Sequence, residues 1–194
     1  MKKYSIALSA GEASGDLHGA NLVNELKAGL RSEVHFWGGG AERMKRAGVD
    51  LFVDTSGGGT IGVIETLASL PGVIANYRRL KAELILRKPD LFIPIDFGAF
   101  NIRLARTAYE NGIDVVYYMP PGSWRRGARA VEGLKACGGK VVTPFPWSAE
   151  NLKASGIDAR WPGHPLLDIA KPTDSREDFI EKYNLKGIIV SLFP

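Results

Sequence analysis

Short apolar runs alternate with segments of helical spacing along almost the whole chain. The runs predicted as strands are 4–10, 33–38, 51–54, 91–95, 114–119, 140–145 and 158–163. The segments predicted as helices are 16–30, 39–48, about 72–88, 100–112 and 148–156. Strands that alternate with helices of this length form parallel sheets. We therefore predict an α/β fold, with a Rossmann-like parallel sheet and helices on both of its faces.

The pattern changes near residue 170. The polar segment 170–179 is typical of a linker or a connecting helix, and LKGIIVSLFP (185–194) then begins another apolar strand. Such a strand would expose unpaired edge groups if nothing followed it. We therefore predict an N-terminal domain over 1–170, and a linker with the start of a truncated second domain over 171–194.

Composition and charge narrow the class of protein. The chain has 194 residues, of which 45% are hydrophobic and 24% charged, and its net charge is +4. It contains no run of about 18 apolar residues that could span a membrane. The single cysteine, Cys137, excludes an internal disulfide and suits a reducing cytosol. Positive charge clusters at 78–88 and 125–129, which indicates solvated helix faces, an anionic lipid surface or a phosphorylated ligand. No nucleic-acid signature accompanies these clusters, so we expect no nucleic-acid partner.

The first predicted strand leads into a glycine-rich turn that carries two carboxylates, Glu12 and Asp16. The spacing of Gly11, Gly15 and Gly19 matches neither the dinucleotide motif nor the phosphate loop. Two carboxylates at a helix N-terminus would repel a pyrophosphate, whereas ionised Glu12 can accept hydrogen bonds from sugar hydroxyls. We therefore predict that Glu12 binds a sugar. Asp16 either does the same or compensates the dipole of the following helix.

Other candidate residues follow predicted strands. Asp96 directly follows LFIPI (91–95), where an α/β enzyme places a general base, although it could instead cap the next helix. Asn101 either orients a ligand or caps the same helix. His164 follows the last predicted strand of the first domain and should face the cleft at the strand ends. No histidine or cysteine spacing indicates a metal site.

Two further segments could contact a ligand. In the loop 119–127, Trp124 and Arg125 offer an apolar plate beside a cation that can pair with phosphate, unless they form an ordinary surface loop. The nearly uncharged stretch 60–77 would either meet acyl chains or be buried core.

Several motifs occur together in an order that resembles one family. These motifs are SAGEASGDLHGANL, IGVIETL, KPDLFIPIDFGAFN, YYMPPGSW, FPWS and GHPL. The chain resembles the N-terminal domain of the lipid A disaccharide synthases, which are inverting glycosyltransferases of GT-B architecture. It departs from the family pattern at Ala99, where the family has a second carboxylate, and in the segment 120–127.

The resemblance implies a reaction and a set of partners. A diacylated glucosamine would pass from UDP to the 6-hydroxyl of a diacylglucosamine 1-phosphate, with no bound metal or other cofactor. The N-terminal domain would bind the acceptor, and a C-terminal domain would hold UDP. The resemblance also implies a homodimer, peripheral to the cytoplasmic face of the inner membrane.

The resemblance assigns Asp96 as the general base. It puts Glu12, Asp16 and His18 on the family's first loop and helix, and Asn101 and His164 on other cleft motifs. Three alternatives remain at this point: a stand-alone, non-catalytic module that binds a sugar or lipid, a related GT-B transferase with another acceptor, and an autonomous nucleotide-binding enzyme.

Overall fold

The computed structural model describes residues 3–55, 63–122 and 128–186. The strands are β1 (Tyr4–Ala10), β2 (Val34–Gly40), β3 (Asp50–Asp54), β4 (Leu91–Ile95), β5 (Asp114–Val115), β6 (Tyr117–Tyr118), β7 (Lys140–Val142) and β8 (Asp158–Arg160). The helices are α1 (Ala13–Gly29), α2 (Glu42–Arg46), α3 (Val63–Arg87), α4 (Gly98–Glu110), α5 (Ala128–Lys135), α6 (Pro146–Ala154), α7 (Leu166–Ile169) and α8 (Arg176–Lys182).

All the described strands belong to one parallel sheet. Its order is β3-β2-β1-β4-β6-β7-β8, and β5 pairs with β4 beside β6. The two central strands pair in the register Ile6 with Leu91 and Ala10 with Ile95, so β1 and β4 end at the same level. The predicted strand 114–119 is divided into β5 and β6, both of which pair with β4.

Helices cover both faces of the sheet, as predicted. Successive residues of β1 and β2 enter different core clusters: Ile6 and Phe36 pack with α1 and α2, whereas Ala7 and Trp37 pack with α3, α4, α5 and α6. Side chains of a strand alternate between faces, so a strand covered on both sides must be apolar along its length. This requirement explains the continuous apolar runs of β1 and β4.

Several helices differ from the prediction. α1 begins at Ala13 with Glu12 at its N-cap, three residues before the predicted start. α3 begins at Val63 and continues through the exposed Pro71, although we expected a helix from about residue 72. A proline costs one backbone hydrogen bond, and α3 is held nonetheless by Leu80 and Leu84, which are buried against the sheet. α5 and α7 were not predicted.

The chain divides into two compact units, Met1–Gly163 and His164–Pro194. The described part of the second unit contains α7 and α8, and the Ser175 side chain caps α8 by accepting a 3.0 Å hydrogen bond from the Asp178 N–H. The division lies seven residues before the predicted boundary at 170/171, which stays a prediction. The apolar strand predicted beyond residue 186 lies outside the described residues.

Candidate functional site

The sheet has a topological switch point between β1 and β4. From β1 the chain continues to β2 on one side, whereas from β4 it continues to β5 and β6 on the other side. Helices that leave adjacent strands in opposite directions open a crevice at the carboxyl ends of those strands, and ligands of open α/β sheets bind there. Glu12 lies two residues after β1, and Asp96 lies directly after β4. The structure therefore brings together the two carboxylates on which the sequence prediction depended most.

Asp96 lies in an unusual turn. Asp96, Phe97 and Gly98 have φ angles of 45°, 57° and 45°, all in the left-handed region. For the two residues with side chains this conformation costs of order 1 kcal/mol each, and it persists only where the surroundings enforce it. Such strain clusters at functional sites. We therefore take the turn 96–98 as the centre of the candidate site.

The backbone of Asp96 is held from two sides. Its carbonyl oxygen accepts a 2.7 Å hydrogen bond from the Tyr117 hydroxyl and a 3.1 Å hydrogen bond from Asn101 Nδ2. Its N–H donates to the Tyr118 carbonyl over 3.2 Å. These bonds link the turn to α4 and to β6, and they offset the strain of the left-handed conformation.

The Asp96 carboxyl is half-buried and electrostatically coupled to Glu12. Partial burial raises its pKa, the nearby Glu12 carboxylate raises it further, and a hydrogen bond from the Phe97 backbone acts in the opposite direction. A carboxylate that binds protons more readily than usual is suited to general-base work near neutral pH. Glu12 is exposed, and its side chain makes no capping bond to α1. Both carboxylates are therefore available to a ligand in the crevice.

Asn101 occupies the interior of the site. Its side chain is fully buried, and Nδ2 donates to the carbonyl oxygens of Ser9, Ile95 and Asp96 over 2.9, 3.0 and 3.1 Å. Its Oδ1 accepts a 2.6 Å hydrogen bond from the Ser9 hydroxyl. With its amide engaged in this way, Asn101 joins β1 to β4 and has a structural role at the site.

The glycine-rich turn of the sequence has a packing role. A Cβ atom at Gly11 would overlap the Phe97 ring, and one at Gly19 would lie 2.7 Å from the sulfur of Met44. The space above Gly11 is thus occupied by Phe97, and α1 approaches α2 closely at Gly19. The spacing of these glycines follows from close packing of α1, which explains why it matches no phosphate-binding motif.

Asp16 is buried and holds α2. Its Oδ1 accepts hydrogen bonds from the N–H groups of Ala41 (2.8 Å) and Met44 (3.1 Å), and its Oδ2 accepts one from Arg43 (2.9 Å). The first N–H groups of a helix have no partner inside the helix and need an outside acceptor. Asp16 therefore stabilises the start of α2, the helix after β2, whereas we expected either a ligand or compensation of its own helix dipole.

The remaining four predicted site residues lie in different parts of the chain. His18 is buried in α1. His164 begins the second unit, and its Nδ1 accepts a 3.2 Å hydrogen bond from the Leu166 N–H. Trp124 and Arg125 lie outside the described residues. The roles of these four side chains in binding stay predictions.

Sequence reasoning missed Tyr117 and Ser9, which hold Asn101 and the Asp96 turn. Both lie within apolar strand runs, and alternation along a strand does not reveal which buried hydroxyl meets which carbonyl.

Among the described residues, no group of three or more histidine, cysteine or acidic side chains could hold a metal ion. Within the same part of the chain, no helix has the length and apolarity needed to cross a membrane.

The fold is found in solved structures with little sequence identity. A UDP-N-acetylglucosamine 2-epimerase superimposes with a TM-score of 0.61 at 16% identity, covering 90% of this chain and 53% of that one. A putative UDP-N-acetylglucosamine 2-epimerase from Listeria monocytogenes gives a TM-score of 0.60 at 13% identity, covering 95% of this chain and 52% of that one. The sheet with its switch-point crevice is thus the N-terminal half of a GT-B architecture.

Sequence comparison defines the family. The family model described as lipid-A-disaccharide synthetase matches residues 6–191, so the chain belongs to that family. It is 38% identical to the lipid-A-disaccharide synthase of Syntrophus aciditrophicus, over all of this chain and 51% of the relative. It is 35% identical to the synthase of Geobacter sulfurreducens, over 98% of this chain and 50% of the relative. The chain therefore spans about half the length of the curated relatives it matches.

Proposed function

We propose that this chain forms the acceptor-binding half of a UDP-sugar-dependent glycosyltransferase of lipid A biosynthesis. Diacylglucosamine would pass from UDP to a diacylglucosamine 1-phosphate acceptor and form a β-1,6-linked disaccharide. The observation that carries the proposal is the pairing of Glu12 with Asp96 at the switch point of a GT-B half. Family membership supports the choice of reaction.

Asp96 would act as the general base. It takes the proton from the 6-hydroxyl of the acceptor while that oxygen attacks the anomeric carbon of the donor, and UDP leaves with the electron pair of the broken bond. Inversion needs only this one displacement, so one base is sufficient. Glu12 would accept hydrogen bonds from sugar hydroxyls and keep the pKa of Asp96 raised.

The assignment of Asp96 as the base is tested by the variant Asp96→Asn, assayed in the full-length protein. We expect turnover to fall by about 10² to 10⁴-fold, since a positioned base contributes that much. Asp168→Asn is the matched control because Asp168 is exposed on α7. Turnover of Asp96→Asn equal to that of the control would reject Asp96 as the base.

The division of labour is tested on the 194-residue chain itself. Titration with an acylated glucosamine phosphate should give saturable binding that weakens in Glu12→Gln, whereas UDP should bind weakly. UDP would belong to a C-terminal domain. Tight UDP binding by this chain would favour an autonomous nucleotide-binding enzyme instead.

We expect neither binding nor turnover to need a metal or cofactor, which treatment with EDTA would check.

The outer side of α3 is the element that would meet a membrane. Ile74 is 42% exposed and Leu86 79% exposed, and the basic residues Arg78 and Arg79 are exposed between them. Apolar side chains interleaved with cations suit a surface of anionic lipid. We propose that this surface holds the protein at the cytoplasmic face of the inner membrane.

Flotation with vesicles tests this proposal. The protein should float with vesicles that contain phosphatidylglycerol and less with pure phosphatidylcholine. Replacing Arg78 and Arg79 by glutamine should weaken flotation, whereas the same change at Arg103 and Arg106 of α4 should not. Equal losses in both double variants would argue against a role for α3.

A homodimer is also proposed. Sedimentation of the full-length protein would measure its oligomeric state.

A further inference from the structure

The hydroxyl of Tyr117 is directed at the backbone of the Asp96 turn. Tyr117 lies on β6, next to β4, and its side chain is 1% exposed in the cluster formed with α3–α6. Burial raises the pKa of its hydroxyl far above neutral, so the group keeps its proton. That proton is donated over 2.7 Å to the Asp96 carbonyl. Tyr117 therefore contacts the turn without reaching the crevice.

Asn101 acts on the same carbonyl from another direction. Its Nδ2 lies 3.1 Å from the Asp96 oxygen, and the Ser9 hydroxyl fixes the orientation of the amide by donating to Oδ1 over 2.6 Å. Two donors on one carbonyl oxygen determine the plane of the peptide that joins Asp96 to Phe97. This plane sets ψ of Asp96 and the left-handed φ of Phe97. The preceding peptide is held by the Asp96 N–H, which donates to the Tyr118 carbonyl over 3.2 Å. The backbone is thus fixed on both sides of the Asp96 Cα, and this fixes the direction of its Cα–Cβ bond.

We propose that Tyr117 and Asn101 are positioning residues that hold the Asp96 carbonyl inward and thereby keep its carboxylate in the crevice beside Glu12. The proposal rests on the proposed function for the role of Asp96 as base. Without the two donors, the peptide can rotate, which changes ψ of Asp96 and relieves the left-handed strain at Phe97. The carboxylate then moves away from Glu12 and towards solvent.

The test is Tyr117→Phe, which removes one oxygen and keeps the ring. The matched control is Tyr118→Phe, because the Tyr118 side chain packs in the opposite cluster with α1 and α2 and only its backbone carbonyl contacts Asp96. The first readout is the pKa of the Asp96 carboxyl, measured by carbon-13 NMR titration of the 194-residue chain. In Tyr117→Phe we expect this pKa to fall towards the ordinary value of 3.8, because the carboxyl becomes more exposed to solvent and lies farther from Glu12.

The second readout is steady-state kinetics of the protein as its gene encodes it. We expect kcat to fall by about ten- to a hundredfold in Tyr117→Phe, with KM changed by less than about threefold, because displacement of a reacting group by about 1 Å has such an effect. Ser9→Ala removes the hydroxyl that donates to Asn101 Oδ1 and so loosens the orientation of the amide. It should change both readouts in the same direction. It also provides the test if Tyr117→Phe does not fold.

The outcomes separate this proposal from the proposed function. An unchanged Asp96 pKa in folded Tyr117→Phe, or equal changes in Tyr118→Phe, would overturn the positioning role whatever the kinetics. A lowered pKa of Asp96 with unchanged kcat would support the positioning role of Tyr117 and count against Asp96 as the base. Asp96→Asn tests that second conclusion independently.

Discussion

The Asp16 carboxylate of α1 accepts a 2.8 Å hydrogen bond from the Ala41 N–H, and so joins the first helix to the start of the second. Two further N–H groups of α2 donate to the same buried carboxylate. α2 has only five residues, too few for a helix that is stable by itself. Its position next to β2 therefore depends on Asp16.

Asp16→Ala should destabilise the chain. The change leaves three N–H groups at the start of α2 without their acceptor, and we expect a loss of about 2–3 kcal/mol in the free energy of unfolding. Urea unfolding of the chain would measure it. Glu25→Ala, on the exposed side of the same helix, should change the stability by less than about 0.5 kcal/mol. Similar losses in the two variants would contradict the capping role of Asp16.

Gly19→Ala should also destabilise the chain. The new Cβ would lie 2.7 Å from the Met44 sulfur and 3.0 Å from Ile95 Cδ1. Both side chains are buried, so either they or α1 must shift, at a cost of about 1–3 kcal/mol. Gly29→Ala, at the end of the same helix, meets nothing within 4 Å and should be neutral or stabilising. Thermal unfolding of both variants makes the comparison. A stable Gly19→Ala variant would show that α1 does not need this close approach.

The thiol of Cys137 should be almost inert in the folded chain. It is 2% exposed, it lies 3.1 Å from the Gly133 carbonyl oxygen, and burial raises its pKa to about 12. The thiolate is the reactive form, so modification by a disulfide reagent at pH 8 should be at least about a hundredfold slower than in urea-unfolded chain. Rapid stoichiometric modification of folded protein would contradict the burial.

The Asp96 carboxyl should lower stability at neutral pH. Because its pKa is raised in the folded state, folding favours its protonated form, and this contribution is present at low pH and lost as the pH rises through the folded pKa. Asp96→Asn should therefore unfold at higher urea concentration than wild type at pH 7, and the difference should shrink as the pH falls towards 4.

The control for this pH dependence is Asp168→Asn, which should follow the wild-type curve. A variant Asp96→Asn that is less stable than wild type at pH 7 would contradict the raised pKa. Together with reduced turnover, greater stability would indicate that the chain keeps a costly carboxylate for its function.

Hydrophobic patterning determined the architecture of the first unit. β1 and β4 were predicted with their observed bounds, because buried parallel strands are apolar on both faces and are bounded by polar turns. The sequence also placed Glu12 and Asp96 after strands, and therefore at the same edge of a parallel sheet. Their pairing required β1 and β4 to be neighbours, which the folded structure shows. Pattern alone did not predict α5. It also missed the start of α3, because a proline normally indicates a helix end, whereas α3 continues through Pro71 and is stabilised by tertiary packing.

The alternation of strands and helices, the family motifs and the position of two carboxylates after strands can therefore be recognised without a structure. The roles of the polar residues near them depend on contacts that form when the chain folds. Asp16 and Asn101 were predicted as possible ligands, yet the first caps α2 and the second joins Ser9 to Asp96. A buried polar side chain must satisfy its hydrogen bonds, and for each of these two residues a decisive partner is distant in the sequence. Ala41 is 25 residues from Asp16, and Ser9 is 92 residues from Asn101.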